Sequence, residues 1–254
     1  MFANSFNVLG TPPTPIVLTT SDWQKFLGRD SASAGTIPLP FPGQVIVGVD
    51  PIFGEAGFIL AFGVASLQIG DAVRIGAGYA TTRQLAATRG MVGISMSANT
   101  DTAALSWFAV RGQVPARLAA SAANAPLYGS ATAGSLSNAV VSTNGVTGAF
   151  AMTALAATIG TKQVSTLSGS NLLAVGNIDG LYVGGGVTGT GIPADTTITA
   201  IGYGGLMLGV SAPPVGFVQL SANATATGSV TGTFIHGAAF ALVNLAHPAA
   251  ANLG

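Results

Sequence analysis

Residues 176–235 read GNIDGLYVGGGVTGTGIPADTTITAIGYGGLMLGVSAPPVGFVQLSANATATGSVTGTFI. Short β-branched and aromatic runs alternate here with Gly, Pro and Asn, the pattern of strands joined by turns. Over 187–201 the order is specific: a strand ending in TGTG, an Ile-Pro-Ala-Asp turn, then the strand TTITAI. Asp179 and Asp195 are the only charges in the stretch. It reads as chain built to form a small rigid sheet, with almost no titratable chemistry.

The whole chain shares that texture. Charged residues make up 6% of its 254 residues, against about 25% in an ordinary soluble domain. Eight basic and eight acidic residues cancel, so the surface lacks the self-repulsion that keeps proteins dispersed. Such a chain is expected to cover much of its surface with partners. Mean hydropathy is +0.60, yet the longest apolar runs, GAFAMTALAATIG (148–160) and GAAFALVNLAH (237–247), fall short of the roughly twenty residues a membrane helix needs. Aromatics are few and turns frequent, unlike an outer-membrane barrel. The N-terminus shows no basic and apolar leader. No membrane partner is expected, and with no basic stripe no nucleic acid either. The absence of cysteine excludes disulfides, thiol catalysis and cysteine-zinc sites.

Three regions follow from composition. Residues 1–42, with TPPTP and IPLPFPG, read as an extended Pro-rich arm, with a short helix capped by Ser21 between the Pro clusters. Its Phe2, Phe6, Trp23, Phe26 and Phe41 need a partner surface. From residue 43 the texture becomes strand and turn: GQVIVGVD, GFILAFGV, GDAVRI, GMVGISM and LSWFAVRGQVPARLAAS. A short helix is expected at 153–159. The strands of 160–235 follow, and the apolar strand after His236 resembles the middle region in composition. The expected fold is therefore all-β. A β-barrel or sandwich domain (43–157 plus 237–254) carries the arm and an inserted, small, sandwich-like β domain (160–235) in an exposed turn.

Candidate chemistry is sparse. His236 and His247 adjoin apolar strands and read as structural or exposed. Asp22, Asp30, Asp50, Asp71, Asp101, Asp179 and Asp195 mostly adjoin turn residues, where Asp bonds the local backbone; Glu55 is the single glutamate. No pair has acid-base or calcium-loop spacing. GLYVGGGVTGTG lacks the lysine of a P-loop and the helix of a dinucleotide site. No catalytic residue, metal or cofactor is expected. Arg74, Arg83, Arg89, Arg111 and Arg117 cluster in the middle region. They read either as strand-edge charges that discourage pairing or, for Arg74, Arg83 and Arg89 especially, as contacts to an acidic partner.

Four stretches carry a resemblance. Gly70–Val73 (GDAV), Val92–Ile94 (VGI), Trp107–Gly112 (WFAVRG) and Leu127–Gly134 (LYGSATAG) follow the order of strands and turn in tailed-phage capsid decoration, or cement, proteins. Val187–Ile201 is similar to the strand-turn-strand of β modules in phage structural proteins. The resemblance implies a non-enzymatic virion protein on the capsid exterior, assembled in the host cytoplasm. Its implied partners are the major capsid protein and further copies of itself, with a homotrimer favoured. It brings no catalytic residues. A tail, fibre or spike component that binds a host-surface glycan is the alternative expectation, ahead of a bacterial adhesin or a hydrolase.

Overall fold

A computed structural model of the chain describes residues 16–17, 41–99, 101–140, 144–203 and 216–252. The fold is all-β. Among these residues there is no α-helix, and one short 3-10 turn lies at Ala77–Tyr79. The first sheet takes β1 (Ile16–Val17), β2 (Val45–Asp50), β3 (Gly54–Phe62), β4 (Ala72–Ile75), β5 (Thr81–Arg83), β6 (Gly90–Ser95) and β7 (Ala104–Ala120). It continues with β8 (Ala125–Gly129), β9 (Leu136–Ser137), β10 (Asn144–Ala151) and, last in the chain, β17 (Phe240–Asn252). The second sheet comprises β11 (Thr158–Thr166), β12 (Leu172–Val175), β13 (Gly186–Thr188), β14 (Ile198–Tyr203), β15 (Gly216–Leu220) and β16 (Gly228–Ile235).

β7 organises the first sheet. It is 17 residues long and pairs with β1, β3, β6, β9 and β17. Because β9, β8, β10 and β17 follow one another in order and β17 returns to β7, the sheet curls round its own core. Pro115 is tolerated in this strand because it faces Leu242 of β17 beyond the end of the β3 pairing, which stops at Gly112. Proline has no N–H to give to a ladder, so it needs a side on which none is called for. The curl starts one turn earlier, where an extra residue interrupts the pairing between Gly57–Arg111 and Phe58–Ala109. A bulge of this kind sharpens local twist. Gly112 follows it with φ +91°, and a Cβ there would overlap the Glu55 carbonyl oxygen.

The main core, around Phe58, Leu60, Trp107, Leu118, Leu127 and Val243, fills the curl. A satellite core of Ile59, Val73, Ile75 and Phe108 covers the other face of β3, β4 and β7. In the second sheet the order β13-β16-β11-β12-β15-β14 closes through a bridge between Gly186 and Thr197. The result is a six-stranded closed barrel where a small sandwich is expected from sequence. Strand alternation fills it: in β15 Val218 and Leu220 point in while Phe217 and Gln219 point out. All six barrel strands lie in sequence between β10 and β17, and β17 pairs with β6, β7 and β10.

Residues 153–159 are not helical. They turn out of β10 and enter β11. The backbone N–H of Ala156 donates to the Phe240 carbonyl and the Thr153 hydroxyl accepts the Leu242 N–H, so ties to β17 outcompete the single helical turn this short stretch offers. Of the arm, Ile16–Val17 pairs with Ala104–Leu105 of β7; the expected Ser21-capped helix lies outside the described residues.

Gly112→Ala is expected to destabilise the protein by about 2 kcal/mol or more, since it combines left-handed strain with a backbone clash. Gly160→Ala, with open space at its Cβ, should stay within about 0.5 kcal/mol. Urea unfolding of the two variants measures the difference.

Candidate partner-binding surface

Two of the stretches singled out by resemblance, Gly70–Val73 and Leu127–Gly134, meet at one buried acid. The Asp71 carboxylate is fully buried; its Oδ2 accepts the Gln68 N–H at 3.0 Å and lies 3.0 Å from Arg83 Nε, while Oδ1 lies 3.5 Å from Arg117 Nε. Around it the backbone closes a ring. Gly70 N–H donates to Ser95 of β6, Arg117 N–H of β7 donates to Gly70, and Ala72 N–H donates to Gly134. Two glycines are required by space: a Cβ on Gly134 would sit 2.7 Å from the Asp71 carboxyl carbon, and one on Gly70 would overlap the Phe240 ring. Burial pushes the Asp71 carboxyl above its ordinary range, while the Gln68 N–H and the charges of Arg83 and Arg117 pull it back down.

From Arg117 the contacts run on to the barrel. Its guanidinium lies over the Phe240 ring, 5.8 Å from the centroid, and Phe240 packs on Tyr182. The Tyr182 hydroxyl meets His236 Nδ1 at 2.9 Å, and Phe53 of the β2–β3 turn stacks on the other side of the imidazole. The Tyr182 oxygen also accepts the Gly237 N–H. A neutral imidazole with its hydrogen on Nε2 would accept the phenol proton at Nδ1. Burial gives the same sign, pushing His236 down to about 4 and the Tyr182 phenol up.

The residues expected to meet a partner separate on inspection. Arg83 and Arg117 are committed to Asp71, and exposed Arg111 pairs with exposed Glu55. The Arg74 side chain lies along Gly90, with its Nε buried. Arg89 is exposed and has no ion-pair partner among the described residues. Phe41 is exposed ahead of the turn that leads into β2. Phe2, Phe6, Trp23 and Phe26 lie outside the described residues. Trp107 is buried in the main core, so its part is to hold the sheet. What the outer surface offers is apolar: Val45, Val47, Val49 and Ile52 along β2 and its turn, and Leu172 and Phe217 on the barrel. Sequence reading missed this exposed series in β2; its signal is the alternating VxVxV of 45–49 in a strand with no charge to solvate its outer face.

An open cleft of about 340 Å³ lies between β8 and β10, walled by Leu127, Tyr128, Val146, Thr147 and Ala149 among others, where their register slips. Its walls carry no carboxylate or imidazole. No group of three or more His, Asp or Glu that could hold a metal occurs among the described residues. No family model matches the chain, and no curated protein or solved structure is similar to it.

Two outcomes follow. Asp71→Ala strands two guanidiniums and is expected to cost about 3 kcal/mol in urea unfolding, whereas Glu55→Ala, at an exposed pair, should cost under about 1 kcal/mol. His236 stays neutral in the fold while the unfolded imidazole protonates near its ordinary 6.5. The unfolded state therefore binds more protons between pH 6.5 and about 4, and stability falls as pH falls through that window. The loss is about 3 kcal/mol, at about 1.4 kcal/mol per pH unit. Comparing wild type with His236→Gln across that range isolates it, because the other acids titrate in both.

Proposed function

We propose that this chain is a structural virion protein that decorates the exterior of a tailed-phage capsid and stabilises it by bridging neighbouring major capsid protein subunits. The observation that carries the reading is the convergence of the four resemblance stretches. Gly70–Val73, Val92–Ile94, Trp107–Gly112 and Leu127–Gly134 are distant in sequence yet neighbours in one sheet, and three of their residues (Gly70, Asp71 and Gly134) build the ring around the buried carboxylate. An order of motifs that has a structural reason in this chain supports the resemblance better than composition does.

The physical properties suit the role. A protein that binds only the expanded shell stabilises that state by mass action, and many symmetric sites add avidity. A surface poor in charge suits contact with other proteins, since interface cores are depleted in charged residues. The Pro-rich arm of residues 1–42, with Phe2, Phe6, Trp23 and Phe26, is suited to cross a subunit boundary and add to a groove or sheet edge. The first sheet then sits on the shell, and the barrel of β11–β16 projects outward. In this reading the protein is non-enzymatic, needs no cofactor, and acts as a homo-oligomer, with a trimer favoured.

One observation favours a second reading. On the outer wall of the barrel Phe217 lies opposite Ala174 and Leu172 opposite Gln219, and both large side chains are exposed. An aromatic and an aliphatic group side by side on a rigid wall suit stacking against a sugar ring. A tail, fibre or spike protein that contacts a host glycan would use such a face.

Sedimentation with expanded heads of the phage that carries the protein tests the first reading. The full chain is expected to co-sediment, and deletion of residues 1–42 to lower bound protein at least tenfold. Undiminished binding removes the arm from the mechanism, and labelling confined to the tail of intact particles favours the second reading.

A further inference from the structure

The edge strand β2 carries an inference that does not depend on which particle holds the protein. β2 ends the first sheet, pairing among the described residues with β3 alone. Its outward residues Val45, Val47 and Val49 are 62%, 45% and 55% exposed. Directly across on β3 lie Ile59, Gly57 and Glu55, and the Glu55 charge is answered by Arg111. Exposed edges are normally blunted by lysine, proline or an outward charge. Residues 44–49 contain none of these, and Asp50 turns inward, where its Oδ1 accepts the N–H groups of Ile52 and Phe53. The described part of the arm, β1, pairs with β7 and leaves this edge unoccupied by it.

The strand is also complementary to itself. We propose that β2 pairs antiparallel with β2 of a second copy of the chain, about a two-fold axis through Val47. In that register Val47 faces Val47 and Val45 faces Val49, so the outward valines of both copies form one apolar patch. Cross-strand β-branched pairs of this kind stabilise an antiparallel ladder. At each end Gln44 falls opposite Asp50. Both side chains lie on the inward face of the strand, so an uncharged amide and not a second carboxylate stands across from Asp50. No like charges meet anywhere along the strand. A two-fold interface requires one patch to complement itself, and this register does so for the outward valines.

Light scattering on the full chain tests the pairing. Wild type is expected at an even multiple of the chain mass of 24.9 kDa: two chains, or six where the pairing joins two of the trimers favoured above. Val47→Lys and Val47→Glu each set like charges against one another at the axis, and each should halve the mass. Mixed in equal amounts the two variants place opposite charges there, and the doubled mass should return. That recovery also shows that both variants fold. A second pair keeps the test independent of position 47: Val45→Lys with Val49→Glu keeps the doubled mass, and Val45→Lys with Val49→Lys loses it. Wild type at the single chain mass overturns the proposal. So does a three-fold assembly indifferent to the charge at 47, failure of the mixture to recover, or a β2 variant that loses head binding while wild type is itself monomeric.

Discussion

The buried carboxylate of Asp71 is the constraint on which the first sheet depends. A fully buried acid is costly unless it is hydrogen-bonded and set beside opposite charge. Here the Gln68 N–H donates to it, and Arg83 at the end of β5 and Arg117 on β7 bring two positive charges to the carboxylate. Those partners can converge only if β4, β5 and β7 hold their observed positions and Gly134 passes close by without a side chain. In a chain with so few charges, one buried acid and two arginines do what many surface pairs could not. They specify one arrangement among the many that interchangeable Val, Ala and Gly strands would otherwise allow.

That arrangement extends to the barrel. Arg117, Phe240, Tyr182, His236 and Phe53 form a continuous run of ring and guanidinium contacts, and Tyr182, though it belongs to the barrel segment, is counted within the main core of the first sheet. Gly184 and Gly237 let the two backbones approach; a Cβ on Gly237 would overlap the Gly184 carbonyl. The β2–β3 turn joins in through Ile52, which packs on Gly180. The barrel is thus held by an aromatic junction with a buried, neutral imidazole inside it. Low charge density elsewhere leaves the outer faces suited to protein contact.

Much of this was legible in the sequence, for identifiable reasons. Apolar and β-branched runs set off by Gly announce β2, β3, β4, β6, β7 and β16, and the Ile192–Asp195 turn is fixed by Pro193 with Asp195 at φ +56°. The return of 240–252 to the first sheet could be read from its composition. Closure of the barrel could not: β13 and β14 read as one local strand-turn-strand, whereas four strands separate them in the sheet order and the Gly186–Thr197 bridge closes the ring. The helix expected at 153–159 fails because neither propensity nor length can compete with β17. Asp71 reads locally as one more turn aspartate beside Gly70, and Arg83 as a surface charge. Their partnership is non-local, and the only sequence signal for it is an acid set directly before the apolar run AVRI in a chain with eight acids in all.

In the proposed role the first sheet lies on the shell and the barrel points outward. A cryo-EM map of the mature virion distinguishes that placement from others. Density on the capsid exterior is expected to fit the curled sheet over contacts between major capsid protein subunits, with the six-stranded barrel standing away from the shell. Density for the protein confined to the tail or fibres, or a capsid surface without it, would rule the placement out.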